Sequence, residues 1–349
     1  MKILHVVRRY GPVGGMERYV WELTRELHKL GHEVEVWCEV CLAEKPHGIT
    51  VHELGEIAPR PRWLSLLRFG RRIARRLADH PHPGWLIHSH ERLGLHHLTT
   101  FHGPPFATVR DRPWWRKVSL RVAMQLFLER RELEQAQHIV PNSHVISEQL
   151  AHYYSELAGK LTVPVVPGVA NGAVREFHGV PATGGVIGFV GKEWRRKGLP
   201  LAVEIVAQLR RSRPELEFWV VGPQPEEIQH LFAGWQGGYR LLGWRAQAYY
   251  AEFDVLLHPA RAEPYGMVIS EAMAARVPVV VSDVCGAAAQ IVPEAGAVEP
   301  LDASIECWAN EVEKQLRRSD APPQFVRGWD EVAREYETIY RKIFETGLK

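Results

Sequence analysis

Short apolar runs rich in β-branched residues alternate with longer stretches of helical periodicity along most of the chain. Ile3 to Val7 reads as a strand that leads through Gly11, Gly14 and Gly15 into an amphipathic helix, about Glu17 to Leu30, closed by Gly31. Glu33 to Cys38 is the next strand, followed in the first half by Trp85 to His88, His97 to Phe101, His138 to Pro141 and Thr162 to Val166. The same grammar restarts with Val186 to Val190, Phe218 to Val221, Tyr239 to Leu242, Asp254 to His258 and Val277 to Val281. Apolar strands separated by helices predict α/β architecture with parallel sheets buried on both faces.

Each set is too short for an eight-unit barrel, so the pattern predicts two Rossmann-like, doubly wound domains whose strand ends face a central cleft. Gly179, Pro181, Gly184 and Gly185 interrupt the pattern between Phe177 and Gly185 and place the seam there. The expected domains are 1–178 and 179–327, with a last helix in 328–349 packing back toward the first. One large doubly wound domain with a cap is the alternative, and the restart after Gly185 argues against it.

The 349 residues are 46% hydrophobic and 24% charged, a globular composition that excludes disordered and collagen-like classes. No run nears the ~18 apolar residues of a membrane span. The first strand meets Arg8 and Arg9 too early for a signal peptide, so a cytoplasmic protein is expected, attached to a membrane only from outside. The four cysteines make no disulfide framework, and Cys38 and Cys41 close a strand where a redox pair would open a helix. The net charge of +2 conceals an asymmetry: residues 1–178 hold 24 basic and 18 acidic residues, residues 179–349 hold 19 and 23. Residues 60–121 alone carry 13 Lys and Arg against Asp79, Glu91 and Asp111, so an anionic partner would meet the first half. Sixteen of the 18 histidines also precede residue 179.

Two segments of the second half carry candidate chemistry. Phe189-Val190-Gly191-Lys192 ends a strand, and Arg195, Arg196, Lys197 and Gly198 precede a helix from about Leu199. Backbone amides, a helix dipole and lysine charge add there to hold a phosphate; a solvated basic loop is the plainer alternative. In His258 to Ala274, Pro264 and Gly266 keep Glu263 on a loop, while Met267 to Arg276 reads as a helix that carries Glu271. An acidic residue in Met-Val-Ile-Ser-Glu-Ala-Met-Ala needs a hydrogen-bonding partner, which a ligand hydroxyl would supply.

Glu263 and Glu271 with Ala272-Met273-Ala274 and Val277-Pro278-Val279-Val280 resemble the E-x7-E signature of the retaining, GT-B-fold glycosyltransferases of family 4. The likeness extends to Gly14-Gly15, Thr100-Phe101-His102-Gly103, Asn142-Ser143, Gly191 to Gly198, Val221-Gly222, Gly243 and Cys285-Gly286. It implies a nucleotide-sugar donor, an acceptor-binding first domain and a donor-binding second domain. Lys192 and Lys197 match the residues that hold the donor diphosphate, Glu271 the one that binds the ribose, and Glu263 the one that contacts the transferred sugar. His102 matches a histidine near the sugar's reacting face, and Gly14-Gly15 a loop that approaches the diphosphate. Gly191, Tyr265 and the Gly266, Met267 and Val268 amides complete the expected donor contacts. Lys192 stands where the family often has Arg, and Pro167 to Gly172 departs from the family's Pro-Asn-Gly-Val-Asp; no site residue is carried across from it.

The chain has no Asp-x-Asp. No metal or cofactor is therefore expected, and Lys192, Lys197 and helix-terminal amides are expected to stabilise the leaving diphosphate. His80, His82, His88, His90, His96, His97 and His102 lack settled metal-ligand spacing. Gly11, Gly14 and Gly15 do not make a G-x-G-x-x-G dinucleotide fingerprint, and only Glu39 stands where its ribose acid would be.

Residues 60–77 place Trp63, Leu66, Leu67, Gly70, Ile73, Ala74 and Leu77 on one helical stripe, with Arg68, Arg71, Arg72, Arg75 and Arg76 largely elsewhere. A second cluster holds Arg110, Arg112, Trp114, Trp115, Arg116, Lys117 and Arg121. Either the stripes pack and the arginines are solvated, or the surface docks on anionic lipid. With the resemblance, the latter gives the leading expectation: a hexosyltransferase using a nucleotide sugar, UDP-linked, on a lipopolysaccharide-core-like or otherwise lipid-linked acceptor at the inner membrane face, with no nucleic acid involved. A nucleotide-sugar epimerase and an inactive membrane-binding module are the rivals.

Overall fold

A computed structural model describes residues 1–170, 172–245 and 249–348. Two compact units appear: Met1–Gly168 with Gly328–Lys349, and Val169–Arg327. The first ends at Gly168, earlier than the Gly/Pro interruption suggests, because residues after it bond to the second unit. The Val169 amide donates to the Arg327 carbonyl and the Arg175 amide to that of Ala275, while the Arg175 guanidinium pairs with Asp254. Asn171 lies outside the described residues.

The first unit is built on six parallel strands, β1 (Lys2–Val6), β2 (Glu33–Cys38), β3 (Thr50–Glu53), β4 (Leu86–Ser89), β5 (Leu98–Phe101) and β6 (His138–Pro141), in the order β3-β2-β1-β4-β5-β6. Ile3 sits opposite Val34 on one side and Leu86 on the other, so apolar rungs cross the sheet centre. Helices α1 (Gly15–Lys29), α2 (Arg62–Asp79) and α3 (Leu120–Gln135) join these strands, and α4 (His144–Tyr153) follows the last. Leu4, Val6 and Trp37 pack with Phe69 and Ile73 of α2; Phe101 and Ile139 pack with Leu133, Ile146 and Leu150. Phe69, absent from the expected α2 stripe, is fully buried, and Trp63 is only half-buried, because the inward face runs through Ser65, Leu66, Phe69 and Ile73.

The second unit repeats the plan with β7 (Val186–Val190), β8 (Glu217–Val221), β9 (Tyr239–Gly243), β10 (Val255–His258), β11 (Val279–Ser282) and β12 (Gly296–Glu299), ordered β9-β8-β7-β10-β11-β12. Phe189, Phe218, Val220 and Leu257 pack with Leu199 and Val206 of α5 (Leu199–Leu209) and with Trp308 and Val312 of a later helix (Ile305–Leu316). Burying side chains of this size contributes about 2 kcal/mol each. Between them lies α6 (Met267–Ala274), which stops before Arg276, where φ is +57°. The Ile305–Leu316 helix is α7, and α8 (Trp329–Thr346) belongs to the first unit.

Helix α8 buries Trp329, Val332, Ala333, Tyr336, Tyr340 and Ile343. A row of hydroxyls ties it to the sheet: Tyr340 to His88 Nδ1, His88 Nε2 to Thr100, Thr100 to Tyr336, and Tyr336 to Tyr19, which donates to the Val165 carbonyl. Thr162 to Val166 runs beside β6 without forming a regular strand: the Thr162 and Val165 amides donate to the Ile139 and Pro141 carbonyls, but Pro164 has no amide to continue the ladder. Among the described residues, no helix is long and apolar enough to cross a membrane.

Candidate active site

In both sheets the strand order reverses at the centre, between β1 and β4 and between β7 and β10. Loops leaving the carboxyl ends there diverge in opposite directions and open a crevice suited to a ligand. In the second unit these loops are 191–198 and 259–266. Gly198 (φ +79°) caps α5, and a Cβ there would collide with the Pro259 carbonyl oxygen, so the two loops pack backbone to backbone only because this residue is glycine.

That contact brings the candidate residues together. Lys197 Nζ donates to Glu263 Oε2 at 2.5 Å, His258 Nε2 lies 3.4 Å from the same oxygen, and Arg196 approaches to 3.8 Å. Burial would raise the Glu263 carboxyl, but the His258 hydrogen bond and the Lys197 charge overcome it and hold it at about 2. Burial lowers His258, which is the neutral donor of the pair, with Nδ1 as its unused lone pair. Glu263 is fixed from behind by the Gly286 amide, which donates to its carbonyl at 2.9 Å. Gly266 (φ +97°) caps α6, so Met267 and Val268 open that helix; Tyr265 is buried with its hydroxyl 2.8 Å from Ser270 Oγ. Glu271, one turn further, is half-buried and accepts from the Tyr250 hydroxyl at 2.6 Å. Gly191 is buried at the end of β7, whereas Lys192 is exposed. His258 was visible as the last residue of its strand; Arg196 and Tyr250 had no signal that set them apart from a basic loop and an ordinary aromatic.

The first unit assembles a second set at its own reversal point. Gly14 caps α1, which begins at Gly15, and the carboxyl ends of β4 and β5 carry His90-Glu91 and His102. His5, His88 and His90 bring ring nitrogens within 4.8 Å of one another, but both nitrogens of His88 and of His90 already serve hydrogen bonds within the unit. Glu39 accepts a two-pronged bond from Arg8 at 2.9 and 3.0 Å, which engages the carboxylate a dinucleotide ribose would need. Gly14, Gly15 and His102 thus belong to a different unit from Glu263, Glu271, Lys192 and Lys197.

The basic segments lie on the first unit's surface. Arg68, Arg71, Arg72, Arg75 and Arg76 line an open groove with Glu53, Glu56 and Asp79. Arg72 reaches the Leu54 and Gly55 carbonyls, and Arg76 covers the Trp37 ring, so these two arginines also pack. Trp114 and Trp115 are 72% and 63% exposed, with Val118 at 76% and Leu120 at 68%, amid exposed Arg112, Arg116, Lys117 and Arg121. Four large apolar side chains are thus exposed within residues 114–120.

Comparison with known proteins bears on both halves. The family described as glycosyltransferase family 4 matches residues 13–163, and that described as glycosyl transferases group 1 matches residues 184–318. The D-inositol 3-phosphate glycosyltransferase of Stackebrandtia nassauensis is 27% identical over 89% of this chain and 80% of its own length. That of Saccharomonospora viridis is 25% identical over 93% and 86%. Among solved structures, WaaG, a glycosyltransferase involved in lipopolysaccharide biosynthesis, superposes with a TM-score of 0.77 at 20% identity over 96% of this chain and 95% of that one. Anabaena Alr3699/HepE in complex with UDP and glucose gives 0.70 at 15% identity over 98% and 100%. With both sheets in the same strand order and both halves matched, the chain belongs to the GT-B glycosyltransferases of group 1, family 4.

Proposed function

We propose that the enzyme transfers a hexosyl unit, with retention of anomeric configuration, from a UDP-sugar to a phosphorylated, lipid-linked glycan at an anionic membrane surface. The observation that carries the transfer reading is the Lys197–Glu263–His258 cluster at the second unit's reversal point, beside the α6 N-terminus. In this reading Lys192 and Lys197 take the donor diphosphate, with the α6 amides adding partial positive charge, and Glu271 takes the ribose. A preorganised donor aimed at the leaving group is worth roughly 3 kcal/mol, so these cations supply what a divalent metal supplies elsewhere. Glu263 is a weak nucleophile while Lys197 and His258 hold it, which favours same-face substitution. The sugar–phosphate bond breaks as the acceptor oxygen bonds the anomeric carbon, and the acceptor proton passes to the departing phosphate. Product analysis by NMR tests this: a retained anomeric configuration is expected, and a glycosyl group trapped on Glu263, or a free epimerised sugar nucleotide, would contradict it.

The acceptor reading rests on the exposed Trp114-Trp115 patch among basic residues, since aromatic rings and arginines suit the lipid interface. Sedimentation with vesicles is expected to show binding to anionic but not neutral lipid, lost in a Trp114→Ser/Trp115→Ser variant. Equal binding to both lipids would remove the electrostatic argument. The relatives named D-inositol 3-phosphate glycosyltransferases favour a second reading, a soluble phosphorylated polyol as acceptor. Transfer to such a polyol without vesicles would select it.

A further inference from the structure

His102 belongs to a row of histidines. Its Nε2 lies 2.9 Å from His90 Nδ1, and His90 Nε2 lies 3.1 Å from His5 Nδ1. The ring centroids stand 5.2 and 5.4 Å apart, which exceeds the bonded nitrogen distances by little more than two ring radii, and the His5 and His90 planes differ by 13°. The imidazoles therefore meet edge to edge through hydrogen bonds, and their lone pairs do not converge on one point as a metal site requires. Burial keeps the row neutral, with His5 and His102 held at about 3 and His90 well below its ordinary value.

A neutral row that keeps both hydrogen bonds has two proton arrangements: all three rings protonated at Nδ1, or all three at Nε2. The far end decides between them. His5 Nε2 is buried without a partner. With protons at Nε2 it would be an orphaned buried N–H; with protons at Nδ1 it is only an unused lone pair, which folded proteins tolerate better. The neighbouring His88 offers no acceptor, because Tyr340 and Thr100 engage both of its nitrogens.

We propose that His5 and His90 are positioning residues that fix His102 as the neutral Nδ1–H tautomer, a permanent hydrogen-bond donor and not a proton acceptor. The nitrogen left uncommitted by the row is His102 Nδ1, on a half-buried residue at the carboxyl end of β5. The consequence for catalysis rests on the transfer reading above: a fixed N–H at this position can donate to a substrate oxygen and cannot take up the acceptor's proton.

Proton–nitrogen correlation spectra of the full chain, with isotope-labelled histidine at neutral pH, read the tautomers without substrate. His5, His90 and His102 are each expected to show a protonated Nδ1 and a bare Nε2; an Nε2–H at His102, or a mixture, overturns the proposal. His90→Gln, whose amide accepts from His5 and donates to His102, is expected to keep both tautomer and rate. His90→Leu is expected to release both tautomers at His102 and to lower kcat about tenfold, with a smaller change in KM for the nucleotide sugar. Equal losses in the two variants would overturn the positioning role. Wild-type protein with the expected tautomer but no transfer from any nucleotide sugar would sink the transfer reading and leave the tautomer assignment standing.

Discussion

Two lysines of one loop do different work because one is buried against a carboxylate and the other is not. Lys192 is exposed, so Lys192→Ala is expected to leave the melting temperature unchanged while raising the donor KM about tenfold. Lys197→Ala strands the buried Glu263 charge with only His258 and the more distant Arg196, and is expected to lower stability by about 3 kcal/mol and kcat by about a hundredfold. Calorimetric melts and initial rates on the two variants separate these outcomes. The pH dependence follows from the same cluster. Glu263 is depressed from 4.5 to about 2, so its contribution to folding is complete above about pH 4.5 and is lost only as the pH falls toward 2. Any loss of rate between pH 7 and 5 therefore belongs to another group, and Glu263→Gln is not expected to shift it.

Helix α8 shows what periodicity can reveal and what it cannot. Its tyrosines close the hydroxyl row from His88 to Val165, and Tyr336→Phe is expected to lower the stability of the first unit by about 1 to 2 kcal/mol, read from urea unfolding. Central strands were legible because they are buried on both faces and read as continuous apolar runs, as in Val186–Val190 and Val279–Ser282. Two of the four edge strands were not: Thr50–Glu53 reads Thr-Val-His-Glu and Gly296–Glu299 begins with glycine, whereas the other edges, His138–Pro141 and Tyr239–Gly243, keep the apolar pairs Ile-Val and Leu-Leu that mark a strand. Thr162 to Val166 looked like a strand by composition, yet beside His138–Pro141 it makes only the Thr162 and Val165 amide bonds, and Pro164 between them has no amide to donate. Glu263, Glu271, Lys192 and Lys197 stood out as candidates by their place on one segment and one loop, and were given roles only by the family resemblance. The partners that hold them, Tyr250 for Glu271 and His258 for Glu263, are set by packing between elements, which spacing does not encode.

At the scale of the whole molecule, histidine divides the two units more sharply than net charge does. In the first unit, burial lowers His5, His88, His90, His96 and His102, so below about pH 6.5 the unfolded chain takes up protons that the folded unit refuses. Glu91 and Glu132, raised by burial to about 7, oppose this, because their folded forms bind protons from about pH 7 down to 4.5. Burial lowers His32, His97 and His138 as well, so eight imidazoles outnumber two carboxyls and the first unit is expected to lose stability as the pH falls from about 6.5. In the second unit only the buried His258 behaves this way among the described residues. Hydrogen exchange at pH 5 is thus expected to open 1–168 before 169–327, and the reverse order would contradict this assignment. The donor site in the second unit is open to an equally direct test, a calorimetric titration of the protein with UDP, GDP and ADP. One of these is expected to bind the wild type and to bind at least about tenfold more weakly to Lys192→Ala, Lys197→Ala and Glu271→Ala. No binding of any nucleoside diphosphate, or binding untouched by all three substitutions, would contradict a donor held by this cluster.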